Sequence, residues 1–226
     1  MEHLAPQYHV YALDLPGFGN SDELKERHDY KNFAGSIISF IDSLHIRHCI
    51  LSGVSFGGAV VLETARLYPA WISQVIVYSP PLHFIEKFTK GQKHALRLSE
   101  LLPFIRYGLF WLMKSGSPVI HNLFWQEKLQ NISPVMKDIF LQTRKFKQRA
   151  IFESLQTFAY TDLRPYLKEI TTPTKIITGE CDHLFREEAK YIHGVLPNSE
   201  YLEIVNADHS FIIKNPKKYA SFFKGI

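Results

Sequence analysis

Ser55 is the residue whose neighbours best equip it to act as a nucleophile. It sits at the centre of Gly53-Val54-Ser55-Phe56-Gly57, between the apolar run His48 to Leu51 and the helical run Ala59 to Leu67. A sharp turn from strand into helix forces such a serine into a strained backbone conformation. The turn also lifts the hydroxyl to the C-terminal edge of a sheet, beside helix-head amides that can stabilise developing negative charge. Small residues are expected two positions to either side, because larger side chains would collide there. The plainer alternative, a glycine-rich turn with an incidental serine, leaves the strand before it and the helix after it unexplained.

A serine hydroxyl is a poor nucleophile at neutral pH, so a base must take its proton and a carboxylate must orient that base. Two later loops carry the candidates. Thr178-Gly179-Glu180-Cys181-Asp182 follows one apolar run, and Asn206-Ala207-Asp208-His209-Ser210 follows the next. In a parallel sheet both loops open onto the edge that holds Ser55. Asp182 is the candidate acid and His209 the candidate base. Residue type alone does not settle the assignment, since Glu180 and His183 lie beside Asp182 and Asp208 beside His209. Ser79-Pro80-Pro81, after the preceding strand, offers no carboxylate of its own.

The elements that must position these groups follow from periodicity. Tyr8 to Leu15, rich in β-branched and aromatic residues and stopped by Pro16-Gly17-Phe18-Gly19, reads as a buried strand. Phe33, Ile37, Ile38, Phe40, Ile41 and Leu44 fall at helical spacing over 32–44. Ile72 to Tyr78, Thr174 to Thr178 and Tyr201 to Val205 read as strands, with helices over 186–196 and from Pro216. This alternation predicts an α/β fold, a mostly parallel sheet flanked by helices. Between 82 and 170 the sequence reads helical throughout and is heavy in aromatics, which predicts a core domain of 1–81 and 171–226 interrupted by a helical cap over 82–170.

Composition narrows the field. Hydrophobic residues make up 46% and charged residues 21%, as in ordinary globular chains. The net charge of +4, with both signs mixed along the chain, gives no reason to expect nucleic acid as a partner. Cys49 and Cys181, one in a strand and one in a distant loop, are expected to be free thiols rather than a disulfide framework. The first residues, MEHLAPQYHV, lack the basic start and apolar run of a secretory signal. No stretch reaches the ~18 apolar residues of a membrane span. A cytoplasmic protein is the default expectation.

On the Ser55 turn and the later acid and histidine loops, the chain resembles the α/β-hydrolase superfamily, in the branch that carries a helical cap. Ser, then Asp, then His is the order this triad takes on that scaffold. Asp14-Leu15-Pro16-Gly17-Phe18-Gly19-Asn20-Ser21 is similar to the D-x-P-G-x-G-x-S turn that follows an early strand in these proteins, a structural more than a catalytic feature. The resemblance implies acyl chemistry through a covalent serine intermediate, esterase- or lipase-like, with no metal or organic cofactor. A serine rather than an aspartate at position 55 argues against the haloalkane dehalogenases and epoxide hydrolases of the superfamily. One oxyanion donor is implied at the backbone N–H of Phe56.

Relatives of this kind begin with two or three further strands and an H-G type loop that supplies a second oxyanion amide. The expectation here is a chain that starts partway into the fold, with Met1 to Leu4 as the end of a helix and a gap between the Tyr8 and Ile50 strands. The cap is expected to lie over Ser55 and to shape a pocket for a small apolar ester-type substrate. Carboxylester, lactone, thioester and a carbon–carbon bond next to a carbonyl all remain open. Leu101 to Met113 is a candidate for contact with a membrane surface, and packing within the cap is the plainer reading. Lys87, Lys90, Lys93, Arg97, Arg144, Lys145, Lys147 and Arg149 suit either an anionic partner or a solvated helix face. A noncatalytic ligand-binding protein and an inactive fragment are the competing classes.

Overall fold

The structure, a computed structural model, describes residues 1–87, 89–91, 93, 94, 97 and 147–223. Along these residues the elements are α1 (Tyr30–Ser43), β1 (Cys49–Val54), α2 (Phe56–Leu67), β2 (Ile72–Tyr78), α3 (Gln148–Tyr160), β3 (Thr174–Gly179), α4 (Arg186–Val195), β4 (Ser199–Ile204), α5 (Phe211–Lys214) and α6 (Pro216–Ser221). Short 3-10 turns lie at Pro69–Trp71, Phe84–Lys87 and Arg164–Glu169. The four strands form one parallel sheet in the order β1-β2-β3-β4.

α1 starts two residues before its first expected position because Asp29 caps it, its carboxylate accepting the Asn32 N–H at 2.9 Å. Tyr30, Phe33, Ala34, Ile37 and Ile41 form its buried stripe. β2 is the spine of the sheet. Val75 and Val77 point into the core shared with α1 and α2, while Ile76 and Tyr78 point into the core formed with Ile177, Ile204 and Phe211. Each such fully buried side chain stabilises the fold by about 1.5–3 kcal/mol. A strand buried on both faces between parallel neighbours gives the C-terminal edge a rigid floor.

The Tyr8 to Leu15 segment corrects the sequence expectation: residues 9–15 form neither a strand nor a buried element. Tyr11 and Leu13 are 43% and 41% exposed. The physical reason is that a strand needs a ladder partner. Among the described residues β1 pairs only with β2, and nothing pairs with its outer edge. β-propensity without a partner does not make a strand. Residues 2–7 form turns rather than the expected end of a helix, although the Ala5 N–H reaches the Met1 carbonyl at 3.0 Å in helical spacing.

The Asp14 to Ser21 turn is held from within: the Asp14 carboxylate accepts the Asn20 N–H at 3.0 Å, and the Ser21 hydroxyl donates to the Asp14 carbonyl at 2.7 Å. Its continuation is clasped to α3. His28, wholly buried, lies with Nδ1 2.7 Å from Glu153, while its Nε2 accepts the Leu24 N–H at 3.2 Å. With Nε2 an acceptor, Nδ1 carries the proton that Glu153 receives. Arg149 adds hydrogen bonds to the carbonyls of Leu24, Lys25 and Glu26.

Within 82–170 the elements with defined bounds are the Phe84–Lys87 turn, α3 and the Arg164–Glu169 turn. The Leu101 to Met113 stretch lies outside the described residues, as do Phe88, Phe104, Tyr107, Phe110, Trp111, Phe124, Trp125, Arg144 and Lys145. Of the basic residues in view, Lys87 pairs with Glu188 at 2.7 Å and Arg149 with Glu153 at 2.9 Å. Cys49 and Cys181 are both free. Among the described residues no helix is long and apolar enough to cross a membrane.

Candidate active site

Ser55 stands between the end of β1 and the start of α2 with φ 50° and ψ −123°, a backbone conformation that non-glycine residues rarely adopt. Its own N–H donates to the Tyr78 carbonyl at 2.9 Å, while its carbonyl receives the Gly58 N–H at 2.8 Å. The turn is thus pinned from both directions. At Gly53 a Cβ would fall 2.2 Å from the Gly57 carbonyl oxygen, so only glycine fits before the serine. Gly57 departs from the expectation. A Cβ there would meet nothing within 4 Å, whereas at Gly58 it would approach Pro80 at 3.0 Å. Gly57 lies on the open side of the first helical turn, and the tight packing falls one residue later.

The Phe56 N–H heads α2, where amides have no intrahelical acceptor. The Phe56 ring packs against Tyr30, Phe33 and Phe158, at centroid distances of 5.3, 5.8 and 6.4 Å.

The structure brings Asp182 and His209 together. Asp182 is 2% exposed, and its Oδ2 lies 2.7 Å from His209 Nδ1. Its other oxygen accepts the Leu184 and Phe185 N–H groups at 3.2 and 3.3 Å. Burial alone would push this carboxyl up. The hydrogen bond and charge of His209, the Ser79 hydroxyl and the Phe185 amide outweigh it and hold the group below the ordinary carboxylate range. His209 keeps 27% of its side chain exposed, with the Phe185 ring 5.0 Å away. The loop that carries it approaches β3 closely enough that a Cβ at Gly179 would lie 2.2 Å from the Ala207 carbonyl.

Two of the rival residues, Glu180 and Asp208, are otherwise engaged. Glu180 accepts the Asn206 N–H at 2.9 Å and so ties the acid loop to the histidine loop. Asp208 accepts from Lys214 at 2.6 Å and from the Ser210 hydroxyl at 2.6 Å. His183 is exposed. Ser55 Oγ, by contrast, has no hydrogen-bond partner among the described residues.

Two residues that sequence reasoning passed over sit among these groups. Ser79 is wholly buried with φ 47°, and its hydroxyl lies 3.1 Å from that of Thr178. Tyr78, also wholly buried, donates its hydroxyl to the Asp208 carbonyl at 2.7 Å. In the sequence the signal for Ser79 is a serine closing a strand, which by itself does not mark a site residue. Ser55, Ser79 and Asn206, all with positive φ, gather just beyond β1, β2 and β4. Such clustering of strain is typical of functional edges. Among the described residues no group of three or more His, Cys, Asp or Glu side chains is disposed to hold a metal ion.

The profile of the α/β-hydrolase fold family matches residues 1–216, and the chain belongs to that family. It is 28% identical over 214 residues to the "Uncharacterized hydrolase YugF" of Bacillus subtilis, a match covering 91% of this chain and 75% of that protein. It is 26% identical over 222 residues to the pimeloyl-[acyl-carrier protein] methyl ester esterase of Aliivibrio fischeri, covering 97% of this chain and 83% of the esterase. Among solved structures, a thermophilic esterase from Thermogutta terrifontis superimposes with a TM-score of 0.76 at 19% identity, covering 99% of this chain and 80% of that one. Both of these sequence relatives are named as hydrolases, the second as an esterase.

Proposed function

We propose that the chain is a serine hydrolase that cleaves an ester or related acyl bond, with Ser55 as nucleophile, His209 as base and Asp182 as the acid that orients it. The observation that carries this reading is the buried Asp182 carboxylate 2.7 Å from His209 Nδ1, on the same sheet edge as the strained Ser55. In the reaction, His209 Nε2 takes the proton of Ser55 Oγ as that oxygen attacks the acyl carbon. Asp182 fixes the imidazole tautomer and stabilises the imidazolium that forms. The Phe56 N–H donates to the oxyanion of the tetrahedral intermediate. His209 then returns its proton to the leaving alkoxide, and an acyl group remains on Ser55 until water, activated by the same histidine, releases it.

An apolar acyl or alcohol portion suits the aromatic side chains that run from the serine turn to the histidine. Phe56 leads to Phe158, Phe158 to Phe84 at 4.2 Å, Phe84 to Phe185 at 5.6 Å, and Phe185 to His209 at 5.0 Å. In this reading residues 82–170 form a cap over the site, with α3 contributing Phe158.

The test is stopped-flow hydrolysis of p-nitrophenyl butyrate. The proposal expects a burst of p-nitrophenol close to one equivalent of enzyme, followed by slower turnover, and loss of both in Ser55→Ala and His209→Ala. Turnover that survives either substitution would overturn the assignment.

A further inference from the structure

We propose that Tyr78, the last residue of β2, is a positioning residue that fixes His209 relative to Ser55. This inference rests on the reading of Ser55, Asp182 and His209 as the triad.

Tyr78 is in hydrogen-bond contact with both sides of that constellation. Its carbonyl accepts the Ser55 N–H at 2.9 Å, and its hydroxyl donates at 2.7 Å to the carbonyl of Asp208, the residue immediately before His209. The main chain therefore holds the nucleophile turn while the side chain holds the histidine loop. The strand beneath is an inner strand of the sheet: β2 lies between β1 and β3, with Tyr78 in register with Val54 on one side and Ile177 on the other.

The side chain is as constrained as the backbone. Its ring stacks on Phe211 at 6.2 Å with 14° between planes, meets Tyr219 edge-on at 6.4 Å, and lies 6.4 Å from the His209 ring. A tyrosine has only two side-chain torsions to fix, and here both are confined. The phenol stays a donor through the working pH range, because burial and then the charges of Asp182 and Asp208 push its proton affinity up.

The Asp208 carbonyl also accepts the Phe211 N–H at 3.1 Å, so it stays partnered without the Tyr78 hydroxyl. What the hydroxyl adds is a link from the histidine loop across to the strand that anchors the serine. Proton transfer between Ser55 and His209 tolerates errors of only a fraction of an ångström, which gives that link a catalytic consequence.

The experiment compares Tyr78→Phe with Tyr219→Phe in the full chain, using p-nitrophenyl butyrate. Tyr219 serves as the control because it sits in the same aromatic cluster and its hydroxyl bonds Ser52 Oγ at 2.8 Å, away from the histidine loop. The expected result for Tyr78→Phe is a kcat at least tenfold lower, KM unchanged within twofold, and a melting temperature close to that of wild type. Tyr219→Phe should keep kcat within twofold.

Equal losses in both tyrosine variants, or wild-type kcat in Tyr78→Phe, would overturn the inference. A Tyr78→Phe chain that fails to fold would also overturn it, by making the hydroxyl chiefly structural. Ser55→Ala separates the two levels of the argument. If Ser55→Ala is inactive and Tyr78→Phe is unaffected, only the role of Tyr78 falls; if Ser55→Ala hydrolyses the ester like wild type, the triad reading falls and takes this inference with it.

Discussion

Asp182 Oδ2 lies 2.7 Å from His209 Nδ1, and the carboxylate is buried while the imidazole remains partly open to solvent. That asymmetry suits an acid whose work is to orient and a base that must reach a substrate. The buried partner cannot find water as a substitute, so the pair is sensitive to loss of either member.

Asp182→Asn should therefore reduce kcat for p-nitrophenyl esters by about 10³- to 10⁴-fold, because the amide favours the wrong imidazole tautomer. Asp208→Asn, which alters a half-exposed carboxylate paired with Lys214, should leave kcat within about threefold. Steady-state kinetics on the two variants checks the choice between neighbouring acids.

The same carboxylate sets a pH dependence of stability. Its folded-state pKa lies below the ordinary value because the His209 contact and its other hydrogen bonds outweigh burial. The stabilisation is thus complete at neutral pH and is lost as pH falls below about 4, through the lowered folded-state value. Urea unfolding from pH 7 to pH 3 should show a decline in stability that is shallower in Asp182→Asn.

The serine turn distinguishes two glycines that the motif treats alike. Gly53→Ala places a methyl 2.2 Å from the Gly57 carbonyl and should destabilise the fold by about 2 kcal/mol or more while impairing turnover. Gly57→Ala meets open space in the first turn of α2 and should be neutral or stabilising by up to about 1 kcal/mol. Melting temperatures of the two variants, measured side by side, provide the check.

The clasp between the Asp14–His28 segment and α3 gives a further expectation. Glu153→Ala removes the acceptor of a wholly buried His28 N–H and a partner of Arg149, and should cost about 1–3 kcal/mol. Chemical denaturation measures this loss directly.

The chemistry of the candidate site was more legible in the sequence than its supports. Ser55, Asp182 and His209 could be picked out as candidates because each follows an apolar run; the structure puts Asp182 in contact with His209 and gives Ser55 a positive φ. Tyr78 and Ser79 were not legible as parts of the site. A tyrosine and a serine ending a strand have many uses, and their partners lie 130 and 99 residues away. The parallel sheet could be read from the alternation of strands with helices, since burial on two faces enforces it. Tyr8 to Leu15 failed as a strand for the complementary reason: pairing is a property of two segments, and composition reports only one. Gly57 differs from the motif's expectation because the motif gives spacing, whereas the direction of a missing Cβ is set by the local turn of α2.

The most direct measurement is intact-mass detection of a fluorophosphonate adduct on the chain, with Ser55→Ala as the control. The account predicts one adduct on the wild-type chain, formed more slowly as the pH becomes acidic and absent in Ser55→Ala. An adduct that persists in Ser55→Ala, or a wild-type chain that does not react, would contradict it.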